Sequence, residues 1–383
     1  MSCEVLPQDI QIQILIRLPV RSLLCFRSVC RSWNSLITSK EFITLHLNQS
    51  LQARDPLILL YRNDLYSLSL FRLKPYSFYR DDGETITKVQ ELEFPIKNEY
   101  YHCCAACNGL LCFYHYDPSR MSLAVWNPSI RTFYRLPCRT WPIMHIYHHC
   151  DVGIGYDQLT NQYKILALIY PLKLDYEHPI SFDVEVFVLG MDQWRRVNTH
   201  VPTSALFLTG YPIFLRGSIH WLGYRSDITV VILAFNVHGE VFFEIEVPSA
   251  IVQPSDYSLH AHGESLCILD NRCSRDSGAV PFWVMEQYGE KLSWCNQFII
   301  EIHNYNFRVL GFWKEDKFLI ENSDGEIVSY DGKVGSTKVV LASEEGTKVV
   351  LAIPYMECLV LLKGSDGPES RVDGSSSASS SNI

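Results

Sequence analysis

A chain of 383 residues that is 47% apolar and 20% charged has the material for a large packed core, which excludes wholesale disorder, and it is longer than one ordinary domain. A net charge of −9 makes it a poor binder of polyanions and excludes nucleic acid as the main partner. Apolar runs such as Ile228 to Phe235 are too short to span a bilayer and no apolar signal segment opens the chain, so a soluble intracellular protein, cytoplasmic or nuclear, without a membrane partner, is expected. The 13 cysteines are scattered through apolar segments, which in a reducing compartment predicts small buried thiols rather than a disulfide framework.

Residues 1–48 read as helical. Leu6-Pro7 precedes apolar residues at Ile10, Ile14, Leu15 and Leu18, the spacing of one helix face, with Pro7 at the start and Pro19 at the end. Val20 to Ile37 carries Leu23, Phe26, Val29, Cys30, Trp33, Leu36 and Ile37 in steps of three and four, and Phe42, Leu45 and Leu47 continue the stripe after a break near Ser39. The spacing predicts a bundle of about three helices. So short a bundle buries too little to stand alone, so part of its apolar surface should meet a partner or the next domain. This head carries five basic residues (Arg17, Arg21, Arg27, Arg31, Lys40) against three acidic ones in an otherwise acidic chain, which suggests an acidic partner.

Residues 50–363 are strand-like and repetitive. Strands recur as Leu57–Tyr61, Gly109–Phe113, Lys164–Leu168, Gly217–Leu222, Glu264–Leu269, Lys317–Ile320 and Glu357–Leu361. Most are followed by a hairpin: Val125-Trp126 leading to Phe133, Val186-Phe187 to Trp194, Ala234-Phe235 to Phe242, Phe282-Trp283 to Trp294, and Val328 to Val339. A unit of three or four strands repeated roughly every fifty residues is the signature of a β-propeller blade. The last strand, near Leu359, has no hairpin after it, so the two chain ends are expected to complete one blade together, giving about six blades and no open sheet edge. Residues 364–383, rich in Gly and Ser, are expected to form a disordered tail.

Several motifs in both zones resemble a known family. Leu6-Pro7, Ile14-Leu15, Arg17-Leu18-Pro19-Val20-Arg21-Ser22-Leu23, Phe26-Arg27-Ser28-Val29-Cys30-Arg31-Ser32-Trp33 and Leu36-Ile37 resemble the plant F-box. Cys107-Asn108-Gly109-Leu110-Leu111-Cys112, Val125-Trp126-Asn127-Pro128-Ser129 with Leu136-Pro137, Gly153-Ile154-Gly155-Tyr156-Asp157, Val186-Phe187 with Trp194-Arg195, and Gly217-Ser218-Ile219-His220-Trp221 resemble the plant F-box-associated domain. The resemblance covers about residues 4–363. Gln13 stands where that family usually has an acid, and the body lacks the paired glycines of a true kelch repeat, so it is propeller-like rather than kelch. The family includes S-locus F-box proteins of pollen and regulators of immune-receptor turnover.

The resemblance implies a non-catalytic, substrate-recognition subunit of a Skp-cullin-F-box ubiquitin ligase. Its F-box would dock on a Skp-type adaptor held by a cullin, and its propeller would hold a target protein for ubiquitination and degradation. Leu6, Pro7, Ile14, Leu18, Pro19, Leu23, Cys30 and Trp33 are the positions assigned to the adaptor contact or its immediate support; Leu15, Phe26 and Trp33 are weighed as bundle core. Target choice is assigned to loops between strands: Trp141–Cys150, Leu172–Ser181, Thr199–Leu208 and Asp270–Ala279.

No Gly-x-Ser-x-Gly elbow, His-Glu-x-x-His or Gly-Lys-Ser/Thr phosphate loop occurs. Gly153-x-Gly155 lacks the third glycine of a dinucleotide loop and reads as a turn before a strand. Cys104-Ala105-Ala106-Cys107 has zinc-knuckle spacing, with His102, Cys103, Cys112 and His115 nearby and a second group at His145, His148, His149 and Cys150; with no second Cys-x-x-Cys, buried thiols and a histidine-bearing loop are the favoured reading, with no metal or other cofactor. A helix-turn-helix built on the N-terminal arginines is disfavoured by the acidic body. A free-standing propeller acting as a binding protein, lectin or hydrolase is the alternative of a different class.

Overall fold

The computed structural model describes residues 6–53, 57–64, 75–82, 85–96, 101–117, 120–137, 148–171, 182–191, 193–202, 206–225, 227, 229–252, 257–270, 279–301, 307–314, 317–344 and 346–362. The proposed tail, 364–383, and most of the proposed target loops lie outside them.

Four helices come first: α1 (Gln8–Leu15), α2 (Val20–Phe26), α3 (Arg31–Ile37) and α4 (Lys40–Ala53). Pro7 and Pro19 occupy the N-cap positions of α1 and α2 in extended conformation, φ −51° and −58°. There the missing proline N–H costs nothing, because the first N–H groups of a helix have no partner within it. The stripe from Val20 to Ile37 is two helices rather than one. Cys30 takes φ −157°, ψ 162° and caps α3, while Ser28 Oγ bonds back to Cys25 O (2.6 Å) and helps close α2. The break near Ser39 is a cap, with Ser39 Oγ accepting the N–H of Phe42 (3.2 Å) at the start of α4. Leu15, Ile16, Val20, Leu23, Ile37 and Phe42 form the bundle core. No helix among the described residues is long and apolar enough to cross a membrane.

The β-strands form six antiparallel four-stranded sheets, arranged as propeller blades. The first contains β1 (Leu57–Asp64), β2 (Tyr76–Asp81) and β3 (Ile86–Leu92), joined by the last strand among the described residues, β24 (Thr347–Tyr355). Blade 2 is β4 (Tyr101–Cys107), β5 (Leu110–Asp117), β6 (Arg120–Asn127) and β7 (Thr132–Arg135). Blade 3 is β8 (His148–Asp157), β9 (Gln162–Pro171), β10 (Asp183–Val188) and β11 (Trp194–Arg196). Blade 4 is β12 (Leu206–Leu215), β13 (Ser218–Arg225), β14 (Val230–Asn236) and β15 (Val241–Glu246). Blade 5 is β16 (Tyr257–His262), β17 (Ser265–Asp270), β18 (Ala279–Met285) and β19 (Trp294–Glu301), and blade 6 is β20 (Arg308–Lys314), β21 (Lys317–Glu321), β22 (Ile327–Asp331) and β23 (Ser336–Leu341).

The innermost strands β24, β4, β8, β12, β16 and β20 run side by side round the axis. Each sheet is apolar on both faces, and one apolar cluster fills each of the six junctions between successive blades. β12 shifts register between Thr209 and Ile213, where Gly210 takes φ 73°, and it reaches β4 two blades away, which narrows the channel.

Two sequence expectations change. Glu357–Leu361 is not a strand; the closing strand is β24, one step earlier, because Thr347–Tyr355 pairs along the whole of β1. Gly153-x-Gly155 is no turn. Both glycines lie within β8, where a Cβ at Gly153 would come within 2.7 Å of Ile219 and Trp221, and one at Gly155 within 2.6 Å of Val237. They let blade 4 pack against the backbone of blade 3.

His220 on β13 is fully buried, donating from Nδ1 to Ile213 O (3.1 Å) and accepting at Nε2 from the Tyr288 hydroxyl (2.6 Å). Burial lowers its pKa to about 4. The unfolded chain therefore takes up the proton first, at an ordinary histidine pKa of about 6.5. The stability held by neutral His220 is complete above that pH and drains away as pH falls from about 6.5 to about 4. Urea midpoints measured over this range should decline, and His220→Gln should flatten that decline.

Candidate functional site

The strand directions divide the ring into two faces. Innermost strands run towards the helices. Tyr156, near the end of β8, lies beside Thr44 of α4; Ile130, in the β6–β7 turn, packs on the helical core; and Leu47 of α4 joins the core between blades 2 and 3. The connections spanning 138–147, 172–181, 203–205 and 271–278 therefore leave from strand ends on the opposite face. The loops expected to choose the target, Trp141–Cys150, Leu172–Ser181, Thr199–Leu208 and Asp270–Ala279, overlap these connections, but His148–Cys150 belong to β8 and Leu206–Leu208 to β12.

Among the assigned head positions, Leu6, Pro7, Ile14, Pro19 and Cys30 are exposed, Leu18 and Trp33 half-buried, and Leu23 completely buried. Leu23 is thus a support within the core rather than an exposed contact position. Trp33 is also partly structural: its Nε1 donates to Gln11 Oε1 (3.1 Å) and its ring lies 5.3 Å from that of Phe26. The Leu18 carbonyl accepts from His46 Nε2 (3.0 Å), which ties the α1–α2 corner to α4. Hydrogen bonding from Ser32 lowers the pKa of the exposed Cys30 thiol.

The sequence reading missed the exposure of Ile10 and Val29. Ile10 and Ile14, one turn apart, are 47% and 49% exposed, Leu6 just before them 54%, and Val29 63%. Leu15, adjacent in sequence, is 2% exposed. A helix of eight residues thus buries one apolar face and offers a second to the outside. The signal was present in the sequence, because Ile10 and Ile14 add an apolar row beyond what one buried stripe needs.

The zinc reading finds no support in the geometry. Cys104 Sγ points to Cys112 O (3.4 Å), and Cys107 lies in the blade 2–3 core. Burial drives the thiol pKa values of Cys104, Cys107 and Cys150 well up, as befits small apolar side chains packed in a core. Among the described residues no group of three or more His, Cys, Asp or Glu side chains is placed to hold a metal, and the described cysteines are free thiols. His145 is not among the described residues. His102 stacks on Tyr114, and His149 Nε2 sits 3.6 Å from Asp151.

The strongest polar cluster is an inter-blade pin. Lys164 Nζ on β9 donates to Val237 O (2.8 Å) and Glu240 Oε1 (2.9 Å) of blade 4 and lies 3.4 Å from Asp157 Oδ2. Arg195 also pairs with Glu240, and His238 Nδ1 lies 3.1 Å from Asp157. Burial alone would raise the Asp157 pKa, but hydrogen bonds from His238, Thr160 and the Leu159 backbone outweigh it and hold it at about 2. Every charge here is answered by a neighbour, as suits packing between blades rather than catalysis.

Comparison with known proteins agrees with this division. A model of the F-box domain matches residues 4–45, and a model of the F-box associated beta propeller domain matches residues 57–342. F-box protein CPR1 of Arabidopsis thaliana is 25% identical over 358 residues, covering 85% of this chain and 82% of that protein. An F-box/kelch-repeat protein of the same plant is 26% identical, covering 82% and 84%. An F-box/LRR-repeat/kelch-repeat protein, also from Arabidopsis thaliana, is 27% identical and covers 90% of each chain.

Proposed function

We propose that this chain, which belongs to the F-box-associated propeller family of F-box proteins, is the non-catalytic subunit that brings target proteins to a ubiquitin ligase built on a Skp-type adaptor and a cullin, in the cytoplasm or the nucleus. The observation that carries the reading is the exposed aliphatic row Leu6, Ile10 and Ile14 on a helix pair whose other face is fully packed. Such a row in water is unfavourable and marks a surface that another protein covers. Pro7 and Pro19 frame it with rigid backbone, so little conformational freedom is lost on docking. The target is held on the far face of the ring, where the long connections leave the strands, so that adaptor and target occupy opposite ends of one rigid body.

Capture of the full chain by a purified Skp-type adaptor tests the surface. Pro7→Ala combined with Leu18→Ala should weaken capture by about tenfold or more, the scale for removing apolar contacts at an interface centre. Unchanged capture would show that the adaptor docks elsewhere.

A further inference from the structure

Residues 356–362 follow the closing strand and lie beyond both segments that match known domains. They do not stop at the ring. Cys358 (0% exposed) and Leu362 (5%) enter the core between blades 2 and 3 beside Leu47 of α4, while Leu359 (4%) enters the core of the helical bundle with Leu15, Val20, Leu23 and Phe42. Neighbouring residues of one short strap thus complete two different cores.

The strap is held by polar groups of blade 2. Asn127, at the end of β6 and fully buried, donates from Nδ2 to Cys358 O (3.1 Å) and Val360 O (2.9 Å), with Cys358 Sγ at 3.3 Å. Its Oδ1 accepts the N–H of Ser129 (3.1 Å). Ser129 Oγ accepts the N–H of Cys358 (3.1 Å) and bonds to the Tyr355 hydroxyl (2.7 Å). Gly109, in left-handed backbone at φ 84°, lets the strap pass: a Cβ there would sit 2.3 Å from Met356 O and 2.9 Å from Cys358 Sγ. The backbone groups of an extended peptide are therefore answered by the underside of one blade, as a bound peptide's would be.

We propose that Met356–Leu362 is a clamp that locks the helical bundle to the underside of the propeller, so that this strap sets the angle between the adaptor-binding helices and the target-binding face. The clamp itself stands on the contacts above; its consequence for ubiquitin transfer rests on the ligase reading.

Hydrogen exchange on the full-length chain tests it. Asn127→Asp keeps the acceptor for Ser129 N–H but removes both donations to the strap and sets a carboxylate oxygen against two carbonyls. Asn127 is not among the residues of the helical core. If the clamp holds the bundle, Asn127→Asp should speed exchange in α2 by about tenfold or more while β9 stays within about twofold, since regions open locally with their own free energies. Ser129→Ala, a milder cut at the same strap, should speed α2 exchange by roughly fivefold. Unchanged α2 protection in both variants overturns the clamp. If Asn127→Asp also loosens β9, the Ser129→Ala result alone decides. Adaptor capture by the wild-type chain, measured beside it, reports on the ligase reading separately: its failure would remove the consequence for ubiquitin transfer and leave the exchange result standing.

Discussion

A chain ending at residue 346 should lose the ring, whereas one ending at residue 362 should unfold at the temperature of the full chain. The first cut removes β24, the innermost strand of blade 1. That strand pairs antiparallel with β1 from Leu57↔Tyr355 to Asp64↔Thr347, and without it β1 is left with an unpaired edge at the axis. Val349, Leu351 and Tyr355, each under 7% exposed, would leave the cores on either side of the blade. Each such side chain is worth about 1.5–3 kcal/mol, and the ladder is lost besides. Blade 6 also loses a partner: Glu321 Oε1 accepts the Val349 N–H (2.9 Å), and Arg308, which bonds Glu321 (2.8 Å), also donates to Val349 O. The sum approaches the whole stability of a typical domain, about 5–15 kcal/mol. Thermal unfolding followed by far-ultraviolet circular dichroism checks it; a cooperative transition within a few degrees of the full chain after the cut at 346 would refute closure by β24.

Lys164→Ala should cost about 3–5 kcal/mol, the scale for breaking a buried ion pair from one side. The Asp157 and Lys164 side chains are 1% and 8% exposed, so neither charge can be handed to water when its partner leaves. Loss of the ammonium also orphans the Val237 carbonyl and half of the Glu240 pairing. Pairing Lys164→Met with Asp157→Asn should recover much of the loss, because replacing both charges removes the stranded one. Urea denaturation of the single and double variants reads both values. Equal stability of the two would show that a stranded Asp157 charge is not the source of the loss.

The strands most legible in the sequence are the second strands of each blade. β1, β5, β9, β13, β17 and β21 are covered on both faces by neighbouring blades, so they read as unbroken apolar runs such as Leu110-Leu111-Cys112-Phe113. The innermost strands are harder to see. β4 reads Tyr-His-Cys-Cys-Ala-Ala-Cys, with a register shift between Cys103 and Ala105, and β12 carries its own shift, so the two-residue period breaks where the ring is tightest. Closure was legible from the missing last hairpin but was placed on Glu357–Leu361. Those residues are as apolar as a strand because they fill two cores, and apolar content alone does not separate a strand from a buried strap. In the helices, the prolines and the Ser39 cap were readable, while the second apolar row of α1 was folded into one stripe. Exposed and buried aliphatics look alike in sequence until packing says which face is covered.

We propose that the N-terminal helices are docked by a Skp-type adaptor. Titrating the purified full-length chain with a purified Skp-type adaptor in an isothermal calorimeter tests it most directly. A one-to-one complex of submicromolar affinity with a negative heat-capacity change is expected, because the exposed aliphatic row of α1 leaves water on binding. No binding at concentrations well above the micromolar range would contradict it.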